Sequence, residues 1–126
     1  MSLVRSFAVV AVLAVAVFLS ACGGGGGSSS GAKEYKVTAT DFKYNPGDQT
    51  FKTASKVKVT MTNQGAVDHT WVLTDAGGTE LFKLEVKVGK TGSGEFTAPA
   101  AGAYNIICDV AGHKEAGMLA KATVTP

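Results

Sequence analysis

The sequence is short of charge, of cysteine and of histidine. Charged residues make up 17% of its 126 positions, and the formal net charge is +2. No Lys/Arg cluster concentrates that charge, so nucleic acid is not expected as a partner. There is no internal repeat of the kind that builds solenoids, and no convincing long amphipathic helix. Cysteine occurs twice, as Cys22 and Cys108, and histidine twice, as His69 and His113; there are three methionines. The length suits a single domain. Sixteen glycines are present, many of them in one run.

The N-terminus departs from this composition. Arg5 precedes an unbroken apolar run from Phe7 to Leu19. Thirteen residues fall short of the roughly 20 a membrane-spanning helix needs. A charged start followed by a short apolar run is the pattern of a secretory signal peptide, here residues 1–21. The run ends in Leu19-Ser20-Ala21-Cys22, which resembles a lipobox, the signal read by bacterial lipoprotein-processing enzymes. That resemblance implies cleavage before Cys22 and lipidation of its sulfur. An uncleaved anchor and ordinary secretion are the alternatives. Residues 22–31 then form a Gly/Ser tether, Gly23 to Gly31 reaching roughly 15–18 Å as a flexible coil. With Cys22 lipidated, Cys108 is the only thiol left in an oxidising compartment. A lone thiol there is a liability unless something occupies it.

Residues 32–126 read as one all-β domain. Val57, Val59 and Met61 alternate with polar neighbours, the period-two mark of a half-buried strand. His69, Trp71 and Leu73 share one face of a second strand, and Tyr104, Ile106 and Cys108 one face of a third. Further strands are expected at Tyr35–Ala39, Leu81–Val88, Ser93–Thr97 and Leu119–Thr125. Turns are expected at 45–48, 75–78 and 99–102. Part of 75–90 reads equally as loop or short helix. Seven to eight short strands suggest a Greek-key β-sandwich.

The chemistry sits near the C-terminus. Cys108, His113 and Met118 lie on one loop, with four residues between each consecutive pair. His69 starts a separate strand and can join them. Two imidazoles, a thiolate and a weak axial thioether are the ligand set of blue-copper electron-transfer sites. Zinc more often recruits a further Cys, His or carboxylate, and Glu115 is the one nearby residue that could complete such a set. Singly, each ligand has an ordinary reading: buried thiol, core methionine, solvated loop histidine. Together they use both histidines and the one remaining cysteine.

The loop resembles the Cys-x4-His-x4-Met copper loop of the cupredoxins, and is similar to that of the auracyanins. The stretches from Asn63 to Leu73 and from Phe96 to Tyr104 resemble the family's first-histidine segment and its approach to the copper cysteine. The resemblance implies one type 1 copper held by His69, Cys108, His113 and Met118, with the histidines binding through Nδ1. It makes the Asp68 carbonyl a candidate for weak opposite contact and His113 the electron port. Ala111, Gly112, Ala116 and Gly117 then form an apolar docking patch, with Lys114 and Glu115 biasing partner choice. Three positions depart from the pattern: Thr70 replaces the usual Asn that braces the loop, Ala111 replaces Pro, and Ile106 replaces an aromatic residue.

The expected function is one-electron transfer between membrane-associated redox partners by a monomer outside the cytoplasm, with no catalysis of its own. A copper-storage or delivery lipoprotein would favour exposed Met/His clusters. A copper enzyme would need further ligands, and none remain. A copper-free adhesion sandwich is the fourth reading.

Overall fold

A computed structural model describes residues 31–126. The signal peptide, Cys22 and all of the tether but Gly31 lie outside the described residues. Nine strands follow in order: β1 Lys33–Thr40, β2 Lys43–Asn45, β3 Gln49–Lys52, β4 Lys56–Asn63, β5 His69–Thr74, β6 Glu80–Val86, β7 Thr91–Thr97, β8 Gly102–Ile107 and β9 Leu119–Thr125. They form two sheets, ordered β2-β1-β4-β7 and β3-β9-β8-β5-β6. The expected β-sandwich is present, with nine strands rather than seven to eight. The additions, β2 and β3, flank the turn at 45–48 and are too short to show an alternating pattern. The uncertain span after Asp75 is filled by β6, with no helix among the described residues.

The alternation in β4 is realised as expected. Val57, Val59 and Met61 are fully buried between the sheets, while Lys56, Lys58 and Thr60 face outward or half outward. Trp71 and Leu73 of β5, Ile106 of β8, and Ala122 and Val124 of β9 meet them in the core. β5 differs from a half-buried strand in that all six of its residues are covered. It lies between β8 and β6, and Thr70, Val72 and Thr74 on its other face are closed over as well.

Trp71 is the hub of an aromatic cluster. Its ring lies 6.0 Å from Phe82, 6.1 Å from Phe96 and 6.5 Å from Phe51. Its indole Nε1 has no hydrogen-bond partner among the described residues. The cluster depends on β6 and β7 approaching closely at the side of the sandwich. Gly94 makes this possible: a Cβ there would lie 2.7 Å from the Phe82 ring. Phe82 in turn packs on Phe96 at 4.8 Å.

Antiparallel pairing decides which ends of the strands meet. β5 pairs with β8, and β8 with β9, all antiparallel. The start of β5, the end of β8 and the start of β9 therefore share one end of the sheet. His69, Cys108 and Met118 occupy those three places. In the other sheet β1 and β4 run parallel, so their C-terminal ends reach the same neighbourhood.

Gly94→Ala would have to push Phe82 off Phe96. Overpacking of this kind costs about 1–3 kcal/mol, and urea denaturation should show a lowered midpoint with an unchanged slope.

Candidate metal centre

The loop between β8 and β9 is held by its own backbone. The N–H of Cys108 donates to the Met118 carbonyl at 3.1 Å, extending the β8–β9 ladder one step beyond the Ile107–Leu119 pair. Cys108 thus lies just past β8 rather than within it. Inside the loop, His113 N–H donates to Val110 and Met118 N–H to His113, each at 3.0 Å. Gly112 and Gly117 take φ values of 84° and 102°, a region that side chains with a Cβ rarely enter. The two Gly-X pairs of the sequence motif are the two reversals that fold the loop back on itself.

The loop delivers its side chains inward. Cys108 and Met118 are fully buried and His113 is 7% exposed. His69, fully buried, comes from β5. Its Nδ1 lies 4.0 Å from the Cys108 sulfur, and His113 Nδ1 lies 3.4 Å from it. The His69 and His113 rings are 5.0 Å apart. One donor atom from each of the three residues falls within 4.8 Å of the others. Ligand bonds of about 2.0–2.3 Å put donors on one ion roughly 3.3–4 Å apart. Both histidine–sulfur distances fall in that range. Glu115 is exposed and stands apart from the group, so no carboxylate completes a zinc-like set among the described residues.

His69 is delivered by a loop that Asn63 organises. The buried Asn63 amide donates to the carbonyls of Val67 at 2.8 Å and Val86 at 3.0 Å, and its oxygen accepts from Gly65 N–H at 2.9 Å. Asp68, next to His69, turns its carboxylate toward Lys87 at 2.9 Å and Val88 N–H at 3.0 Å. Lys87 and that amide hold the Asp68 carboxyl below the usual carboxylate range.

Thr70, in the place of the usual Asn, braces the loop. Its backbone N–H points at the Cys108 sulfur at 3.4 Å. Its hydroxyl accepts from Asp109 N–H at 2.9 Å. The hydroxyl has one proton to give, and two acceptors compete for it: Asp109 Oδ1 at 2.7 Å and the sulfur at 3.5 Å. The shorter, charge-assisted bond wins. Asp109 is anchored in turn by Lys83 at 2.6 Å. Burial alone would push the Asp109 carboxyl up, but Lys83 and Thr70 outweigh it and hold the carboxyl low. From below, the buried Tyr44 hydroxyl donates to the Thr70 carbonyl. Burial raises the Tyr44 phenol far above its ordinary range, so it remains a donor.

Two residues that sequence reasoning did not single out also reach the site. Both lie at the corner between β1 and β2. Asp41 Oδ1 is 3.1 Å from His69 Nε2, and Phe42 sets its ring against His113 edge-on at 4.9 Å. Phe42 keeps a left-handed backbone, φ 83°, to do so.

Comparison with known proteins agrees with this geometry. The family model described as a cupredoxin-like domain matches residues 9–120. No curated protein matches the chain. Among solved structures, auracyanin B is 25% identical with a TM-score of 0.70, covering 76% of this chain and 91% of its own. The dithionite-reduced auracyanin of Roseiflexus castenholzii is 21% identical, with a TM-score of 0.69 over 76% of this chain and 100% of its own. Auracyanin A, a "blue" copper protein from Chloroflexus aurantiacus, is 21% identical, with a TM-score of 0.68 over 75% of this chain and 100% of its own.

Thr70→Val keeps the bulk and removes the hydroxyl, leaving Asp109 N–H without its acceptor. The copper-free domain should lose about 1–2 kcal/mol in urea denaturation. Lys83→Ala removes only the exposed end of the chain and should cost less.

Proposed function

The chain belongs to the cupredoxin-like family and is a blue copper electron carrier, and we propose that it shuttles single electrons between membrane-associated redox partners with His69, Cys108, His113 and Met118 as its copper ligands. The observation that carries the ligand assignment is the convergence of both histidines on the Cys108 sulfur at one buried end of the sandwich. Met118 completes it by position. It is buried, and its backbone is paired to Cys108 on one side and His113 on the other.

Copper at this site supplies a one-electron couple and an intense sulfur-to-metal absorption. The protein's contribution is to keep the donors where they are. Cys108 binds as thiolate, with Thr70 N–H directed at its sulfur. His69 presents Nδ1 because its other nitrogen faces Asp41. The close-packed frame leaves little room for the donors to rearrange when the charge changes.

His113 is the port in this reading. It has the slight exposure that His69 lacks. Ala111, Gly112, Ala116 and Gly117 beside it are small, uncharged and exposed, which suits the small, weak interfaces of redox encounters. Lys114 and Glu115 flank the patch and would bias which partner docks. The protein acts as a monomer and performs no catalysis of its own.

Residues 1–21 are a lipoprotein signal peptide, Cys22 is the lipidated residue, residues 22–31 are the tether and residues 32–126 the copper domain. This arrangement holds the carrier outside the cytoplasm, at the outer face of the cell membrane or in the periplasm. Support for it is the sequence pattern at Leu19 to Cys22.

The soluble domain loaded with Cu(II) should turn intensely blue and bleach reversibly on reduction by one electron per protein. Cys108→Ser should abolish the colour; a wild-type domain that stays colourless refutes the assignment. Copper that exchanges rapidly with a chelator would instead favour a storage role. In cells, the full-length protein should take up a labelled fatty acid, and Cys22→Ser should abolish that labelling.

A further inference from the structure

We infer that Asp41 is a positioning residue for the copper site, holding His69 by its Nε2–H and biasing the site toward the oxidised metal with its charge. This rests on the copper reading above and goes beyond it, because Asp41 lies outside the ligand motif.

The geometry carries the assignment in three ways. The Asp41 carboxylate meets the ring nitrogen of His69 that faces away from the sulfur, at 3.1 Å, while Nδ1 faces Cys108. A carboxylate accepts and does not donate when ionised, so the nitrogen beside it carries the proton and Nδ1 is left with the lone pair. Metal-bound imidazoles commonly give their far N–H to such a partner, which fixes tautomer and ring orientation and raises ligand basicity.

The carboxylate is itself held. Both of its oxygens accept from Ala66 N–H, each at 3.1 Å. That amide fixes the carboxylate in place against His69. The third observation is the space made for the contact. A Cβ on Gly65 would lie 2.4 Å from Asp41 Oδ1 and 2.6 Å from His69 Nε2. The β4–β5 loop passes over the Asp41–His69 bond with room for a hydrogen only.

A negative charge behind a ligand stabilises Cu(II) over Cu(I). Removing it should raise the preference for the reduced ion, and so raise the potential. Asp41→Asn keeps an oxygen for Ala66 and removes the charge; Asp41→Ala removes both. Both variants should remain blue. Each should favour Cu(I) about tenfold more than wild type, equivalent to about 59 mV for a one-electron couple. Asp41→Ala should in addition broaden the His69 ring signals in NMR of the zinc-substituted domain.

Unchanged potentials in both variants, with unchanged His69 signals, would reduce Asp41 to a brace for the loop at Ala66 and overturn the inference. If the variants do not fold, the wild-type domain decides. Long-range proton–nitrogen NMR of the zinc-substituted form should show Nε2 of His69 protonated and protected from exchange. A rapidly exchanging Nε2–H overturns the inference. A wild-type domain that binds no copper would defeat the copper reading itself, and is distinguishable from either result.

Discussion

The register of one hairpin underlies the whole site. Ile107 pairs with Leu119, and the next step of the ladder joins Cys108 to Met118. Two sulfur side chains separated by a loop thereby become cross-strand neighbours at the buried end of a sheet. A slip of one residue would turn each strand's side chains to the opposite face. Such a slip is opposed by Ala120, Ala122 and Val124, which alternate along β9 and are buried in the core. The same alternation that fills the interior sets where the sulfurs stand.

The rest of the centre is brought to that hairpin by β5, its neighbour in the same sheet, and by a corner of the other sheet. β5 places His69 against the sulfur because it is the neighbour of β8. Thr70, the next residue, then reaches the sulfur with its amide and the loop with its hydroxyl. Behind them, parallel pairing of β1 and β4 brings the corner at Asp41 and Phe42 to the outer side of both histidines. The first-coming strand of the domain therefore supports ligands that appear much later in the chain. Each histidine has one partner from that corner: a carboxylate behind His69 and an aromatic edge beside His113.

Much of this was legible in the sequence, and the exceptions have physical reasons. β4, β5, β8 and β9 announce themselves by alternation, since each packs one row of side chains into the core. The ligand loop shows in residue types and spacing, because a Cys, His and Met so placed have few other joint uses. β2 spans three residues and β3 four, too few for a period to emerge. Asp41 is an isolated carboxylate at a corner, and its meaning depends on a parallel pairing that no local pattern encodes. Thr70 was recognisable as a possible brace by its hydroxyl. Its actual partner, Asp109, needed the hairpin to be in place. Gly65 was read as part of a segment, whereas its reason for being glycine is a distance across space.

Trp71 is the only tryptophan in the chain, and its indole N–H has neither water-facing exposure nor an acceptor among the described residues. It also stands two residues along β5 from His69. Excited indoles shift their emission when surrounding dipoles reorient, and here the surroundings are hydrocarbon rings that cannot. The chain therefore contains its own optical gauge. The colour of its emission reports whether the interior is dry, and quenching of that emission reports whether an ion sits at the end of the strand.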